Sequence, residues 1–172
     1  MRLRNWDYAS AGSYFLTICT HHRLPLFGRI VDDQMVANAF GRIVDEEWSR
    51  STEIRNELAL DAYVIMPNHM HGIVILRRVD DPSGGKTHRP RVGAHGRAPL
   101  HRQPRSLGSF VAGFKARVTK RINQHRHTPG APVWQRGYHD HILRHQRDLD
   151  RTRRYIRQNP LKWSLDQYHV DS

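Results

Sequence analysis

The sequence is poor in cysteine, in long apolar runs and in acidic residues, and each shortage excludes something. Cys19 is the only cysteine in the 172 residues, which excludes an intramolecular disulfide and a zinc site built from several cysteines. No apolar run approaches the roughly 20 residues that cross a bilayer. The N-terminal MRLRNWDY lacks the apolar segment of a secretory signal. These absences predict a cytoplasmic protein with no membrane partner.

Basic residues outnumber acidic residues by a wide margin. Twenty-eight Lys and Arg stand against sixteen Asp and Glu, which gives a net charge of +12 and a pI near 10.8. Such an excess favours polyanionic partners, because each phosphate contact releases condensed counterions. The length and the 38% of apolar residues suffice for one buried core. We therefore expect one nucleic-acid-binding domain over residues 1–172.

Apolar periodicity divides the chain into strands and helices. A period of about two residues predicts a strand, and a period of about 3.6 predicts a helix. The predicted elements are strands at Gly12–Cys19, Leu58–Met66, His69–Leu76 and about Tyr138–Leu143, and helices at Val31–Trp48, Ser106–Asn123 and about Asp148–Gln158. Their order predicts an α+β fold, an antiparallel sheet with helices packed on it.

Local signals indicate where these elements begin and end. Pro67-Asn68 predicts a tight turn, so that the two strands around it form a hairpin. Asp32 and Asp33 are expected in the first turn of the first helix, where the helix dipole favours acidic groups. Ser106 is expected to cap the second helix, and Pro160 to end the last one.

Residues 82–105 interrupt the pattern. They contain four prolines, four glycines and six Lys or Arg, with no acidic residue. We expect a basic, mobile loop inserted into one domain rather than a linker between two.

Two histidines begin the second strand of the predicted hairpin. Side chains at positions two apart in a strand share a face, so His69 and His71 can hold one metal ion. The spacing alone is weak evidence among 13 histidines, because His125-Arg-His127 and His139-Asp-His141 repeat it. The apolar residues after His71 anchor its strand in a core, and a rigid strand presents ligands accurately. We therefore favour His69 and His71.

The last predicted helix carries a tyrosine and an asparagine on one face. Tyr155 and Asn159 stand four residues apart. A phenol, with a pKa of about 10, needs a base or a metal ion before it acts as a nucleophile. The amide oxygen of Asn159 can ligate a hard cation one turn away. The alternative for Tyr155 is simple packing in the core.

Four blocks of sequence occur in one order between about residues 8 and 163. They are GSYFLTIC with the later Phe27-Gly28, YVIMPNHMHGIV from Tyr63 to Val74, WQRGYHDHILR from Trp134 to Arg144, and YIRQNP from Tyr155 to Pro160. Together they resemble the single-tyrosine HUH transposases, most closely the REP-associated tyrosine transposases. The joint occurrence of four blocks is far more specific than any one of them.

The resemblance implies a fold, a reaction and a site. Members of this family have a ferredoxin-like antiparallel sheet with flanking helices, and they cleave single-stranded DNA beside a hairpin through a 5′-phosphotyrosine link. By the family motif, Tyr155 is the nucleophile, and His69, His71 and Asn159 hold a metal ion, expected to be Mg²⁺ or Mn²⁺. Insertion-sequence relatives carry Gln at the position of Asn159. Family examples leave a monomer and a homodimer both open.

Phosphate contacts are expected from the helices, because a rigid scaffold fixes their charges. The candidates are Lys115, Lys120 and Arg121 on the second predicted helix, and Arg151 and Arg154 on the last.

Three other functions stay open at this point. The chain can be a non-catalytic hairpin-DNA-binding protein derived from a transposase. It can be an RNA-binding module that stacks bases on the aromatic side chains of a similar sheet. It can be a zinc hydrolase that uses His139 and His141. A histidine pair facing a helical tyrosine would favour the DNA-nicking enzyme over these.

Overall fold

The computed structural model describes residues 10–77, 105–166 and 168–169. Its elements are β1 (Gly12–Cys19), β2 (Gly28–Val31), β3 (Gln34–Ala37), α1 (Ala39–Ser49), α2 (Ser51–Ile54), β4 (Leu58–Met66), β5 (His69–Leu76), α3 (Leu107–His125), β6 (His139–Leu143) and α4 (Gln146–Gln158), with short 3₁₀ helices at His21–Arg23 and Pro160–Leu165.

Four of the strands form one antiparallel sheet in the order β4-β5-β1-β6. The hairpin of β4 and β5 turns at Pro67-Asn68 as the sequence predicts. The helices α1 and α3 connect β1 to β4 and β5 to β6, which gives the ferredoxin-like arrangement. The predicted α+β class is therefore confirmed. The assignment of residues 1–172 to one domain stays a prediction, because the loop at 82–104 lies outside the described residues.

The two faces of the sheet have different roles. Side chains alternate between the faces of a strand, so Met70 and Val74 of β5 point toward α1 and α3 with Leu16 of β1. Ile73 points to the other face and packs with Ile156 of α4. The larger apolar core therefore lies on one face, and α4 covers the other with a smaller apolar cluster.

Helix α3 is held by its cap and by its apolar stripe. The hydroxyl of Ser106 accepts a hydrogen bond from the backbone N–H of Ser109 at 3.2 Å, which confirms the predicted N-cap. The predicted apolar stripe is also confirmed: its buried members are Leu107, Phe110, Val111, Phe114, Val118 and Ile122.

The prediction of one helix from Val31 to Trp48 is wrong in its first part. The chain forms the hairpin of β2 and β3 there, and Asp32 and Asp33 occupy its turn with φ values of 47° and 59°. Two successive left-handed residues close a two-residue hairpin, whereas a helix excludes them. The helix α1 begins after Asn38, whose side chain accepts hydrogen bonds from two backbone N–H groups at 2.9 and 3.0 Å. Strands of four residues are too short for their period to be distinguished from a helical one.

The final helix starts earlier than predicted. It begins at Gln146 rather than near Asp148, and it ends at Gln158 before the Pro160 that opens a 3₁₀ helix. Among the described residues, no helix combines the length and the apolar character that crossing a membrane requires.

Gly72 supports a stability prediction, because α1 touches the sheet there. A Cβ atom at Gly72 would lie 2.4 Å from Cζ2 of the buried Trp48 ring. Gly72→Ala should lower the free energy of unfolding by about 1–3 kcal/mol through overpacking, measured by urea denaturation. The matched control is Gly113→Ala in α3, where the nearest atom is the end of the Arg117 side chain at 3.4 Å. Alanine favours a helix, so the control should keep or gain stability. Equal losses in both variants would contradict this account of the Trp48 contact.

Candidate active site

His69 and His71 stand side by side on the sheet face that α4 covers. Both are buried, with 0% and 1% of their surface exposed. Their Nε2 atoms lie 3.1 Å apart. The strand geometry therefore brings two imidazole nitrogens to one point, as predicted from their spacing.

Both imidazoles are neutral in the folded protein. Burial lowers the pKa of His69 to about 3, and the positive charge of Arg23 acts in the same direction. Burial also lowers the pKa of His71 to about 3, with a contribution from His69. Because a metal ion binds the unprotonated imidazole, burial keeps the pair ready to bind one well below neutral pH.

The other ring nitrogen of each histidine has a polar partner. Nδ1 of His69 lies 2.9 Å from Oδ1 of Asn68, and Nδ1 of His71 lies 2.8 Å from Oγ1 of Thr17. Such contacts fix the orientation of metal-binding imidazoles. The sequence patterns place Asn68 in a turn and Thr17 in a strand, and they assign neither to the site.

A carboxylate that the sequence patterns do not reveal completes the group. Asp166 follows the last 3₁₀ helix. One oxygen of its carboxylate and one ring nitrogen each of His69 and His71 all lie within 4.8 Å of one another. The last of the four sequence blocks ends at Pro160, so nothing in them points to Asp166. The chain that follows α4 returns to the histidines and brings Asp166 with it.

Asn159 contributes an oxygen without a partner. The residue is 2% exposed, and its Nδ2 donates a hydrogen bond to Asp166 at 3.1 Å. Its Oδ1 is buried and has no hydrogen-bond partner among the described residues. A buried amide oxygen without a donor is costly, and a cation would satisfy it.

Tyr155 lies at the border between this group and solvent. Its hydroxyl is 3.2 Å from Nε2 of His71, and the residue is 40% exposed. Burial of the hydroxyl raises the pKa of Tyr155 to about 12, and the negative charge of Asp166 adds to the shift. A cavity of about 290 Å³ opens beside it, lined also by Lys162 and Asp166. Tyr155 therefore does not pack in the core, and a substrate group can approach its hydroxyl.

The rival histidine pairs have different surroundings. His139 and His141 are exposed on β6, paired with Thr17 and Phe15 on the same face of the sheet as the buried histidines. His125-Arg-His127 lies at the exposed end of α3. Within the described part of the chain, no third His, Cys, Asp or Glu groups with either pair. The zinc hydrolase therefore gains no support.

The predicted phosphate contacts divide between the two faces of the sheet. Arg151 and Arg154 are exposed on α4, and Arg151 stands one turn before Tyr155 on the same helical face. The α3 candidates lie on the opposite face of the sheet. There Lys115 donates hydrogen bonds to two backbone carbonyls at 2.6 and 2.8 Å, and Arg121 donates to Glu47 at 3.0 Å.

Lys120 is the exposed member of the α3 group. It lines an open groove of about 1050 Å³ between α3 and residues 127–134, larger than the cavity beside Tyr155. The DNA-binding role of all five cations stays a prediction. Of the five, only Arg151 and Arg154 lie on the same side of the sheet as Tyr155.

Comparison with known proteins agrees with the resemblance found in the sequence. An uncharacterized protein of Haemophilus influenzae is 36% identical over 172 residues, covering 99% of this chain and 92% of its own length. The solved structure of a REP-associated tyrosine transposase bound to a REP hairpin superposes with a TM-score of 0.61 at 19% identity, covering 94% of this chain and 74% of that chain. No family model matches the sequence.

The buried histidines generate a prediction for acid stability. Unfolded histidines titrate at about 6.5, whereas both folded ones titrate at about 3. Between these values the unfolded chain binds more protons, so the free energy of unfolding should fall as the pH is lowered through this window. The slope is at most about 1.4 kcal/mol per pH unit for each histidine.

Urea denaturation at several pH values between 4 and 7 should give a shallower slope for His71→Gln than for the unaltered chain. The exposed His139→Gln is the control and should keep the original slope; parallel profiles for all three proteins would contradict the burial of neutral imidazole.

Proposed function

This chain belongs to one family with its Haemophilus influenzae relative and has the fold of the single-tyrosine HUH transposases, and from that premise we propose that it is a metal-dependent enzyme that nicks and rejoins single-stranded DNA beside hairpins. The observation that carries the proposal is the meeting of the Tyr155 hydroxyl with His71, 3.2 Å away, where His69 and Asp166 also converge. An RNA-binding module would need no such group.

The donor set fits a divalent cation. His69 and His71 offer neutral nitrogens, Asp166 offers a carboxylate, and Asn159 offers the amide oxygen that lacks a hydrogen bond. A mixture of imidazole and hard oxygen ligands suits Mn²⁺ and, less well, Mg²⁺. When bound by these four residues, such an ion would polarise a phosphate and offset the charge that develops during its transfer.

Tyr155 would carry the covalent step. Its phenolic oxygen attacks the phosphorus atom, the new P–O bond forms, and the bond from phosphorus to the 3′ oxygen breaks. The phenol gives up its proton, and the departing oxygen takes one up to become a free 3′-hydroxyl. The downstream strand stays attached through its 5′-phosphate. Because the link keeps the energy of the phosphodiester, the reverse step rejoins strands without ATP.

The surroundings of Tyr155 support this role. His71 Nε2 holds the hydroxyl on one side, and the cavity with Lys162 leaves the other side open to a phosphate. Arg151 and Arg154 are exposed on the same helix, and Arg151 stands one turn before Tyr155, so both can contact the phosphates of a strand bound there. A pKa of about 12 leaves very little phenolate near neutral pH, so attack needs a nearby positive charge.

The decisive experiment is covalent capture. A library of single-stranded DNA hairpins with randomised flanks and a 3′ label is incubated with the protein and Mn²⁺, and SDS-resistant adducts are counted. The label must be on the 3′ end because the downstream fragment stays on the protein. Tyr155→Phe should lose the adduct by at least about 100-fold and keep hairpin binding, since only the hydroxyl is removed.

The buried Tyr168 provides the matched control. Its ring lies 4.7 Å from that of His69, and its exposure is 8%. Tyr168→Phe should still form the adduct, and a chelator added before the DNA should prevent the adduct both in this variant and in the unaltered chain. If hairpins bind but no adduct forms with the unaltered chain, the non-catalytic hairpin-binding function is correct instead. An adduct that persists in Tyr155→Phe and disappears in Tyr168→Phe would show that Tyr168 is the nucleophile instead.

The position of the arginines generates a separate prediction about binding. Replacing Arg151 and Arg154 with Gln should weaken hairpin binding and reduce the slope of log K against log salt by roughly 0.7–0.9 for each phosphate that the variant no longer neutralises. Changing Lys115, Lys120 and Arg121 together to Gln should have the smaller effect, because these residues lie on the other sheet face and two of them hold intramolecular partners. Fluorescence anisotropy over a salt series measures both. A larger slope change in the α3 variant would place the DNA on the α3 face.

A further inference from the structure

Asn68 occupies a buried position between three parts of the site. It is 1% exposed and precedes His69 at the tip of the β4–β5 hairpin. Its backbone carbonyl accepts hydrogen bonds from the backbone N–H and the hydroxyl of Thr20, both at 2.9 Å. These two bonds hold the backbone of Asn68 in place.

The hydrogen bonds of Asn68 fix which way its amide points. Its Nδ2 donates to the backbone carbonyls of Arg23, at 3.1 Å, and Tyr168, at 2.6 Å. Carbonyl oxygens only accept, so the atom facing them must be the nitrogen. The oxygen Oδ1 therefore faces Nδ1 of His69 at 2.9 Å.

This orientation decides where the proton of His69 resides. Oδ1 of an amide cannot donate, so Nδ1 of His69 must carry the hydrogen. In a neutral imidazole, Nε2 is then unprotonated and presents its lone pair. That lone pair points to Nε2 of His71 and to Asp166, where a cation would be held. Thr17 cannot impose the same choice on His71, because a hydroxyl both donates and accepts.

The same amide holds the chain segment that brings Asp166 to the site. The carbonyl that accepts from Nδ2 belongs to Tyr168, two residues after Asp166. The backbone N–H of Tyr168 in turn donates to Oδ1 of Asp166 at 2.8 Å. One side chain thus touches both a histidine ligand and the segment of the carboxylate ligand.

We propose that Asn68 is a positioning residue of the metal centre: its carboxamide fixes the proton of His69 on Nδ1, leaving Nε2 for the ion, and ties the Asp166 segment to the histidine pair. The inference rests on the proposed function only in taking these residues to bind a divalent cation. The tautomer of His69 follows from the hydrogen bonds alone.

The first test needs no variant of Asn68. Long-range ¹H–¹⁵N spectra of the metal-free protein, labelled with ¹⁵N-histidine, distinguish protonated from unprotonated ring nitrogens, and the signals missing in His69→Gln assign His69. We expect Nδ1 of His69 to be protonated and Nε2 to be unprotonated at neutral pH. The opposite tautomer overturns the proposal.

The second test measures Mn²⁺ affinity by calorimetry. Asn68→Ala removes both the acceptor and the donor, and it should weaken binding about 10–100-fold with a mixture of His69 tautomers. Asn68→Asp keeps an oxygen facing His69, so it should keep the tautomer, while hydrogen exchange at the Tyr168 amide becomes faster. If Asn68→Ala does not fold, Asn68→Asp decides, and a changed tautomer or an unchanged exchange rate counts against the proposal.

The matched control is a buried asparagine on the other face of the sheet. Asn123 is 6% exposed, and its Nδ2 donates to the Ala131 carbonyl at 2.9 Å. Asn123→Ala should lose stability but keep Mn²⁺ affinity; an equal loss of affinity would show that any buried amide has this effect and would overturn the proposal. An unaltered chain that binds no Mn²⁺ overturns the proposed function. If the unaltered chain and Asn68→Ala bind Mn²⁺ with the same affinity, only the role of Asn68 is overturned.

Discussion

Two neutral imidazoles held with their Nε2 atoms 3.1 Å apart are the constraint around which this molecule is organised. Removing both rings from water requires that their Nδ1 atoms find polar partners, and Asn68 and Thr17 supply them. It also requires a cover, which α4, the segment from Asn159 to Asp166 that follows it, and Tyr168 provide. Tyr155, Asn159 and Asp166 lie at the site because they belong to that cover.

The sheet allows this arrangement because it separates stability from chemistry. The face under α1 and α3 carries the larger apolar core, in which Trp48 packs against Gly72. The opposite face has a smaller apolar cluster around Ile73 and Ile156, and the buried histidine pair lies on that face beside it. A buried polar site is costly to a fold, and here the apolar face offsets that cost.

Much of the fold follows from local patterns, and the part that does not has a physical reason. The hairpin at Pro67-Asn68 and the cap at Ser106 are set by neighbouring residues, so the sequence predicts them. The sequence predicts a helix where the hairpin around Asp32 forms, because short strands carry too little periodicity. His69, His71, Tyr155 and Asn159 are recognisable as spaced pairs, and the structure brings the two pairs together. Asp166 is not recognisable, since a single carboxylate in a polar segment acquires a role only through tertiary contacts.

The ion pairs between α1 and α3 have a consequence for how the molecule meets a polyanion. Glu47, 2% exposed, accepts hydrogen bonds from Arg117 at 2.9 Å and Arg121 at 3.0 Å, so much of the positive charge on that side is already neutralised. The arginines of α4 include exposed ones such as Arg151 and Arg154. Among the described residues, the side that carries Tyr155 therefore presents exposed arginines, whereas two arginines of the α3 side share a buried carboxylate. In the field of a nucleic acid, an uneven distribution of charge between the two sides experiences a torque that turns the protein during diffusion, so that encounters become productive more often than random orientation allows, and increasingly so as ionic strength falls.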